Sequence, residues 1–283
     1  MKYNFKYKNN DNVLVMRQEA GVPFLQFPAL EDCGVVVHGF STRMGGVSEG
    51  IYASMNLSYT RGDKEEAVTE NFKRFAEALH TNEEDYVFSD QTHTTNIRVV
   101  TEEDRGKGFT RSRDYKDIDG LVTNVKGLVL STFYADCVPL YFVDPKRKAI
   151  GLSHSGWKGT VGEIGRKTIE TMEEQYGSKP EDILAAIAPS ICRECYEVSE
   201  DVALQFKKNF PKEEHTKIMD EKENGKYQLD LWECNKRILL RSGIQEKNLT
   251  VTNICTCCNS DLLFSHRASQ GKRGNLGAFL MLK

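Results

Sequence analysis

The stretch "DGLVTNVKGLVLSTFYADCVPLYFVDPKRKAIGLSHSGWKG", residues 119–159, holds four β-rich runs and the approach to a helix. Gly, Asp and Pro divide the first three runs, and "KAIGLSH" (148–154) adds the fourth after the turn "DPKRK" (144–148). Beyond "SGWKG" the period turns helical, and a helix is predicted over about 160–176 with Val161, Ile164, Ile169, Met172 and Tyr176 inward. Within this stretch Cys137 and His154 both stand where apolar chain gives way to small residues.

Upstream, "GVVVHGFSTR" (34–43) reads as a buried strand entering the Gly-rich turn "MGGVSEG", and Val68, Phe72, Phe75, Ala76 and Leu79 mark a helix over about 64–80. "DYVFSDQTH" (85–93) and "NIRVVT" (96–101) read as short strands flanking His93, and the polar segment 102–117 as a mobile loop. Downstream, "DILAAIAPSI" returns to strand, Ser199 and Asp230 are placed as N-caps, and Asp230 with Glu233 has capping-box spacing. Gly243 ends that second helix, and "NLTVTNICTCC" and "GNLGAFLML" are late strands. Residues 1–34, with the alternating "KYNFKYK" and then "VPFLQF", read as an N-terminal edge segment. Strands and helices intermix without a βαβ rhythm, so one α/β (α+β) domain over 1–283 with large mixed sheets is expected.

The totals bound the function. A chain of 283 residues, 39% apolar and 28% charged, is an ordinary globular composition, and its net charge of −3 gives no reason to expect nucleic acid or an anionic membrane as partner. The N-terminus lacks the order of a signal peptide and no apolar run approaches a membrane span, so a cytoplasmic protein is expected. Its eight cysteines then read as thiols or metal ligands before disulfides. Six histidines are too few for a four-copper oxidase, because imidazole is the usual Cu(II) ligand.

His93 in "SDQTHTT", Cys137 in "YADC" and His154 in "LSHSGWKG" each end a buried run, where a strand delivers a side chain to a cleft. Two imidazoles and a thiolate suit Zn²⁺ and leave the fourth tetrahedral position open, as catalytic zinc requires. The bland alternatives are a buried thiol and hydrogen-bonded structural histidines. A metal-free alternative is a Cys137 nucleophile deprotonated by His154 or His93. The residue types alone keep these readings open.

Cys192 and Cys195 have metal-like spacing, but the Cys-Thr-Cys-Cys run at 255–258 departs from the usual second knuckle. Reduced, packed thiols are therefore expected for Cys192, Cys195, Cys255, Cys257 and Cys258, with a structural zinc as the alternative. A zinc deaminase signature is missing, since neither His93 nor His154 is followed by x-Glu. Arg43 beside Gly45 and Gly46 suits a phosphate or carboxylate, and Lys158 stands before a predicted helix N-terminus. Solvated charges at a turn are the bland reading of both.

The motifs "HGFSTRMGGVS", "MNLSYTRGD", "QTH", "DGLVT", "ADCVPL", "HSGWKG" and "CYEVSEDV" together resemble, in order and spacing, the laccase-domain family. That family was once called multicopper polyphenol oxidases and is now described as purine nucleoside phosphorylases. The resemblance runs from about residue 35 to the C-terminus. It implies a four-layer α/β/β/α domain related to the Cys–His deamidase toxins, and a metal site at His93, Cys137 and His154 that takes zinc in preference to copper. It also implies phosphorolysis of adenosine, inosine and methylthioadenosine, with some adenosine deamination. The implied partners are purine nucleosides and phosphate, for a monomer or weak homodimer.

The family's C-terminal Ser-Tyr-Arg-Arg run is Ser265, His266, Arg267, Ala268 here, and its later Gly-Arg is Gly274-Asn275. Two basic positions are thus lost, so Arg43, Arg267 and Lys158, with Gly45, Gly46 and Asn56 of the two Gly-containing motifs, become the expected substrate contacts. Asp136, next to Cys137, is read as a proton-transfer group or a structural strand-end carboxylate.

Overall fold

A computed structural model describes residues 3–283. Its first sheet takes β1 (Val15–Glu19), β2 (Val22–Gln26), β3 (Val36–Ser41), β4 (Tyr86–Phe88), β7 (Val129–Tyr134) and β15 (Leu276–Leu282), in the order β1-β2-β3-β15-β7-β4. The second takes β5 (Ile97–Val99), β6 (Gly120–Thr123), β8 (Val138–Asp144), β9 (Ala149–Ser155), β10 (Leu184–Ile187) and β14 (Leu249–Val251), in the order β14-β10-β8-β9-β6-β5. A small third sheet joins β11 (Glu197–Val198), β12 (Met219–Glu221) and β13 (Tyr227–Leu229). Both large sheets are mixed, because parallel pairs β4·β7, β5·β6 and β10·β14 sit at the edges of antiparallel centres.

The helices are α1 (Pro28–Glu31), α2 (Glu65–Ala78), α3 (Trp157–Val161), α4 (Ile164–Tyr176), α5 (Glu200–Asn209), α6 (His215–Ile218), α7 (Leu231–Arg241) and α8 (His266–Ser269). Side-chain alternation sets the layers. On β8, Leu140 and Phe142 face α4 and α7, while Tyr141 and Val143 face the first sheet. On β15, Leu280 and Leu282 face the second sheet and Phe279 faces Phe75 of α2. The result is helix, sheet, sheet, helices, which is why β8 and β9 are buried at every position. Among the described residues no helix is long and apolar enough to cross a membrane.

Several sequence expectations change in detail. The helix predicted over 160–176 is two helices, because the chain takes a left-handed turn at Glu163 (φ +56) between α3 and α4. Beside that turn, Gly162 abuts the loop carrying Thr95, whose Cγ2 would lie 2.6 Å from a Cβ there. "KYNFKYK" is not a strand, and its Lys2 lies outside the described residues; Tyr7 bridges Ile254, and Lys6 N–H donates to Asn259 Oδ1 at 2.7 Å. Asp230 caps α7 by accepting from Glu233 N–H at 2.9 Å, whereas Ser199 occupies the N-cap of α5 without a side-chain bond. The polar loop 102–117 is anchored. Buried Lys107 pairs with Asp104 and Asp114, both at 2.9 Å, and Phe109 stacks on Phe88 at 5.8 Å.

The strands flanking His93 belong to different sheets, so residues 89–96 cross from the first sheet to the second. Cys137 lies on a second such crossing, between β7 and β8. Register does the rest: Pro139 pairs with His154 and Gly120 with Ser153, which brings Cys137 and Asp119 to the His154 end of β9.

Candidate active site and metal centre

The two crossings meet at one end of the sheets. His93, Cys137 and His154 each bring a donor atom there, all within 4.8 Å of one another. Cys137 Sγ lies 3.9 Å from His93 Nε2, and the two imidazoles stand 5.0 Å apart, tilted by 75°. His154 is buried, Cys137 half-buried and His93 exposed, so the group opens toward solvent on the His93 side. A glycine is required at position 156, where a Cβ would sit 2.9 Å from the His93 ring and 3.1 Å from Cys137 Sγ.

Asp119 organises the group, and sequence reasoning passed over it. Its carboxylate lies 2.8 Å from His154 Nδ1 and accepts the backbone N–H groups of Thr92, His93 and Thr94 at 2.8–3.1 Å. The same residue therefore fixes the ring of one histidine and the left-handed backbone (φ +66) of the other. Burial opposes its charge, yet the His154 and backbone hydrogen bonds hold the carboxyl below its usual range. The only sequence trace of this role was an Asp-Gly pair opening a strand.

Without metal, Cys137 and His154 shift each other toward a thiolate and an imidazolium. Burial opposes the thiolate, but the charge and hydrogen bonds of His154 and His93 outweigh it and pull the thiol well down. Burial likewise opposes the His154 imidazolium, and Cys137 and Asp119 push its pKa up despite that. A thiolate, two imidazoles and a carboxylate behind one of them form a donor set that fits a divalent soft-to-borderline cation.

A cleft of about 960 Å³ opens over these three residues. Phe88, Phe109, Phe133 and Tyr59 give it an aromatic wall. Arg273 and Arg61 also line it, and the sequence reading had named neither. Arg273 is buried with its Nε unpaired among the described residues, and its other contacts are to Asn275 Oδ1 and Gly274 O. Burial first, and then the neighbouring Arg61 charge, lowers its pKa to about 10.

The other expected contacts lie outside the cleft. Arg43 spends its guanidinium on Ala53 O and Ser260 O, both at 2.8 Å, and on the face of Phe264. The turn beside it is filled from within: Gly46 N–H donates to Ser54 Oγ, a Cβ on Gly46 would meet Ser54 O at 2.2 Å, and one on Gly45 would meet Gly21 O at 3.0 Å. Arg267 donates to Cys195 O and Glu197 O, and exposed Lys158 lies over Trp157. Asn56 accepts from Asn275 N–H at 2.9 Å, supporting the segment that carries Arg273. Asp136 accepts from Thr256 Oγ1 at 2.6 Å and from Arg267 N–H at 2.8 Å, which commits both of its oxygens.

A family model described as "Multi-copper polyphenol oxidoreductase laccase" matches residues 37–283. Purine nucleoside phosphorylase YlmD of Bacillus subtilis strain 168 is 39% identical over 88% of this chain and 89% of its own length. Adenosine deaminase RL5, from an unknown prokaryotic organism, is 32% identical over 82% of this chain and 88% of its own. The crystal structure of Bacillus licheniformis hypothetical protein YfiH superposes with a TM-score of 0.88 at 37% identity, covering 95% of this chain and 99% of that one. With the match spanning all of the second sheet and the first sheet except β1, β2 and the first residue of β3, this chain belongs to the multi-copper polyphenol oxidoreductase laccase family.

Proposed function

We propose that the chain is a zinc-dependent purine nucleoside phosphorylase acting on adenosine, inosine and methylthioadenosine. The carrying observation is the Arg61–Arg273 pair in the same cleft as the His93, Cys137, His154 group. Two guanidiniums facing one cleft gain most from a divalent anion, and burial of Arg273 strengthens its hydrogen bonds to one. The aromatic wall of Phe109, Phe133 and Tyr59 offers flat apolar surface for a purine.

In this reading the arginines hold phosphate against the anomeric carbon. A phosphate oxygen bonds to C1′ as the C1′–N9 bond breaks, the bonding pair leaves with the purine, and the purine takes up a proton. Positive charge builds on the ribose as it does in glycoside cleavage, and the bound phosphate is its counter-charge. His93 Nε2, Cys137 Sγ and His154 Nε2 would hold zinc, with Asp119 keeping the His154 proton on Nδ1. Zinc bound there supplies Lewis-acid polarisation. Six histidines in the whole chain argue against a multi-copper assembly.

Deamination of adenosine is the second reading, supported by the relative named adenosine deaminase RL5. It needs water in place of phosphate. The test is release of free base and of ammonia from adenosine with and without phosphate, on metal-replete and chelated protein. Phosphate-dependent base release with ribose 1-phosphate supports phosphorolysis; base release indifferent to phosphate makes the protein a hydrolase. Turnover that survives chelation but dies on alkylation of Cys137 would replace the metal reading with a thiol nucleophile.

A further inference from the structure

Away from the cleft, four thiols that sequence spacing had left as packed cysteines converge on one point. Cys192, Cys195, Cys255 and Cys258 bring their Sγ atoms within 4.8 Å of one another. The set is two Cys-x-x-Cys steps, 192–195 and 255–258, with Cys257 left outside the four. The Cys-Thr-Cys-Cys run had obscured the second step.

The spacing of the sulfurs matches one cation at their centre. Cys195 Sγ and Cys258 Sγ are 3.5 Å apart, and Cys192 Sγ and Cys258 Sγ 4.0 Å. Zinc–sulfur bonds of about 2.3 Å in a tetrahedron place neighbouring sulfurs about 3.8 Å apart. The four are free thiols, each separation being far longer than a disulfide bond. A second observation points the same way: backbone N–H groups are aimed at sulfur. Cys192 N–H donates to Cys255 Sγ at 3.2 Å and Cys258 N–H to the same sulfur at 3.4 Å. Such donors stabilise a thiolate more than a thiol. The Lys8–Glu194 ion pair, 3.1 Å long, lies beside Cys192.

We propose that Cys192, Cys195, Cys255 and Cys258 bind a structural zinc ion, separate from the metal centre of the cleft. Four protein ligands close the coordination shell, so the site is structural rather than catalytic. Its place in the fold gives it a task. The ion clamps the segment after β10 to the loop after β14, where Thr256 N–H already donates to Ser190 O at 3.1 Å. Thr256 Oγ1 in turn bonds Asp136, the residue before Cys137. Zinc in the cluster thus fixes the crossing that presents Cys137 to the cleft.

The experiment uses the Cys137→Ala protein, which lacks a cleft ligand but keeps the cluster intact. Metal analysis after purification without chelator should find about one zinc per chain, and X-ray absorption at the zinc edge should show sulfur alone at about 2.3 Å. Loading the same protein with cobalt(II) should produce thiolate-to-metal charge-transfer bands. Adding Cys255→Ser should remove that zinc, and circular dichroism on each variant separates loss of metal from loss of fold. Folded Cys137→Ala protein that holds no zinc, or holds it with nitrogen ligands, overturns the proposal. A Cys192–Cys195 disulfide found by mass spectrometry also overturns it. None of these readouts depends on phosphorolysis.

Discussion

The Asp119 carboxylate lies 2.8 Å from His154 Nδ1 and at the same time binds the backbone of His93. One buried carboxylate therefore aims two of the three donors of the cleft. In Asp119→Asn the amide can still accept one bond, but it loses the charge that holds the His154 proton on Nδ1. Zinc affinity at the cleft should fall about 10–100-fold, as for other outer-shell changes, when titrated against a competing chelator. The four-cysteine zinc should stay, which makes the remaining metal content an internal control.

Arg273 should matter to phosphate and little to the nucleoside. Replacing it by Met removes a charge-assisted contact worth about 1.5–3 kcal/mol, or about 10–100-fold. Steady-state kinetics should show that rise in the KM for phosphate, with the KM for adenosine nearly unchanged. An equal loss for both substrates would place Arg273 elsewhere than at phosphate. Arg43→Met, by contrast, should chiefly lower stability, because its guanidinium is committed to Ala53 O and Ser260 O.

Sequence reading reached the strand runs, the long helices and three side chains that meet, because each depends on local periodicity and on where an apolar run stops. It missed Asp119, Arg61 and Arg273, which reach the cleft region only when two sheets and two crossings are brought together. The Gly-rich turn lies outside the cleft for a physical reason: its Gly46 N–H donates to Ser54 Oγ, and Arg43 Nε and Nη1 donate to Ala53 O and Ser260 O. The cysteine cluster was hidden by Cys257, an extra thiol between two ligands.

The depressed Cys137 thiol makes the metal-free protein selectively reactive. Its pKa is pulled to about 6, whereas the Cys255 hydrogen bond and burial raise that of Cys192, burial and neighbouring cysteines raise that of Cys195, and burial with nearby carboxylates raises those of Cys234 and Cys257. Iodoacetamide at neutral pH should therefore label Cys137 first in chelated protein, as read by peptide mapping. The labelling rate should climb through about pH 6 and level off above it, since the thiolate is the nucleophile. Saturating zinc should protect the residue. A midpoint at the usual thiol value would remove the thiolate–imidazolium pair from the site.

His38 gives the fold its own pH dependence, independent of the cleft. It is 2% exposed on β3, and its Nε2 accepts from Phe27 N–H at 2.9 Å, so protonation destroys a buried hydrogen bond. Burial lowers its pKa to about 4, with Glu31 raising it and Lys283 lowering it by smaller amounts. The unfolded chain, titrating near 6.5, binds more protons than the folded one between those two values, so this group's contribution is lost as pH falls from 6.5 toward 4. From pH 7 to pH 5 the loss should be about 2 kcal/mol. Denaturant unfolding of wild type and His38→Gln, which keeps an acceptor but cannot titrate, should differ by that amount in the change with pH. Identical pH profiles would mean that the unfolded chain's histidine gains no proton advantage over His38 between Phe27 and Tyr141.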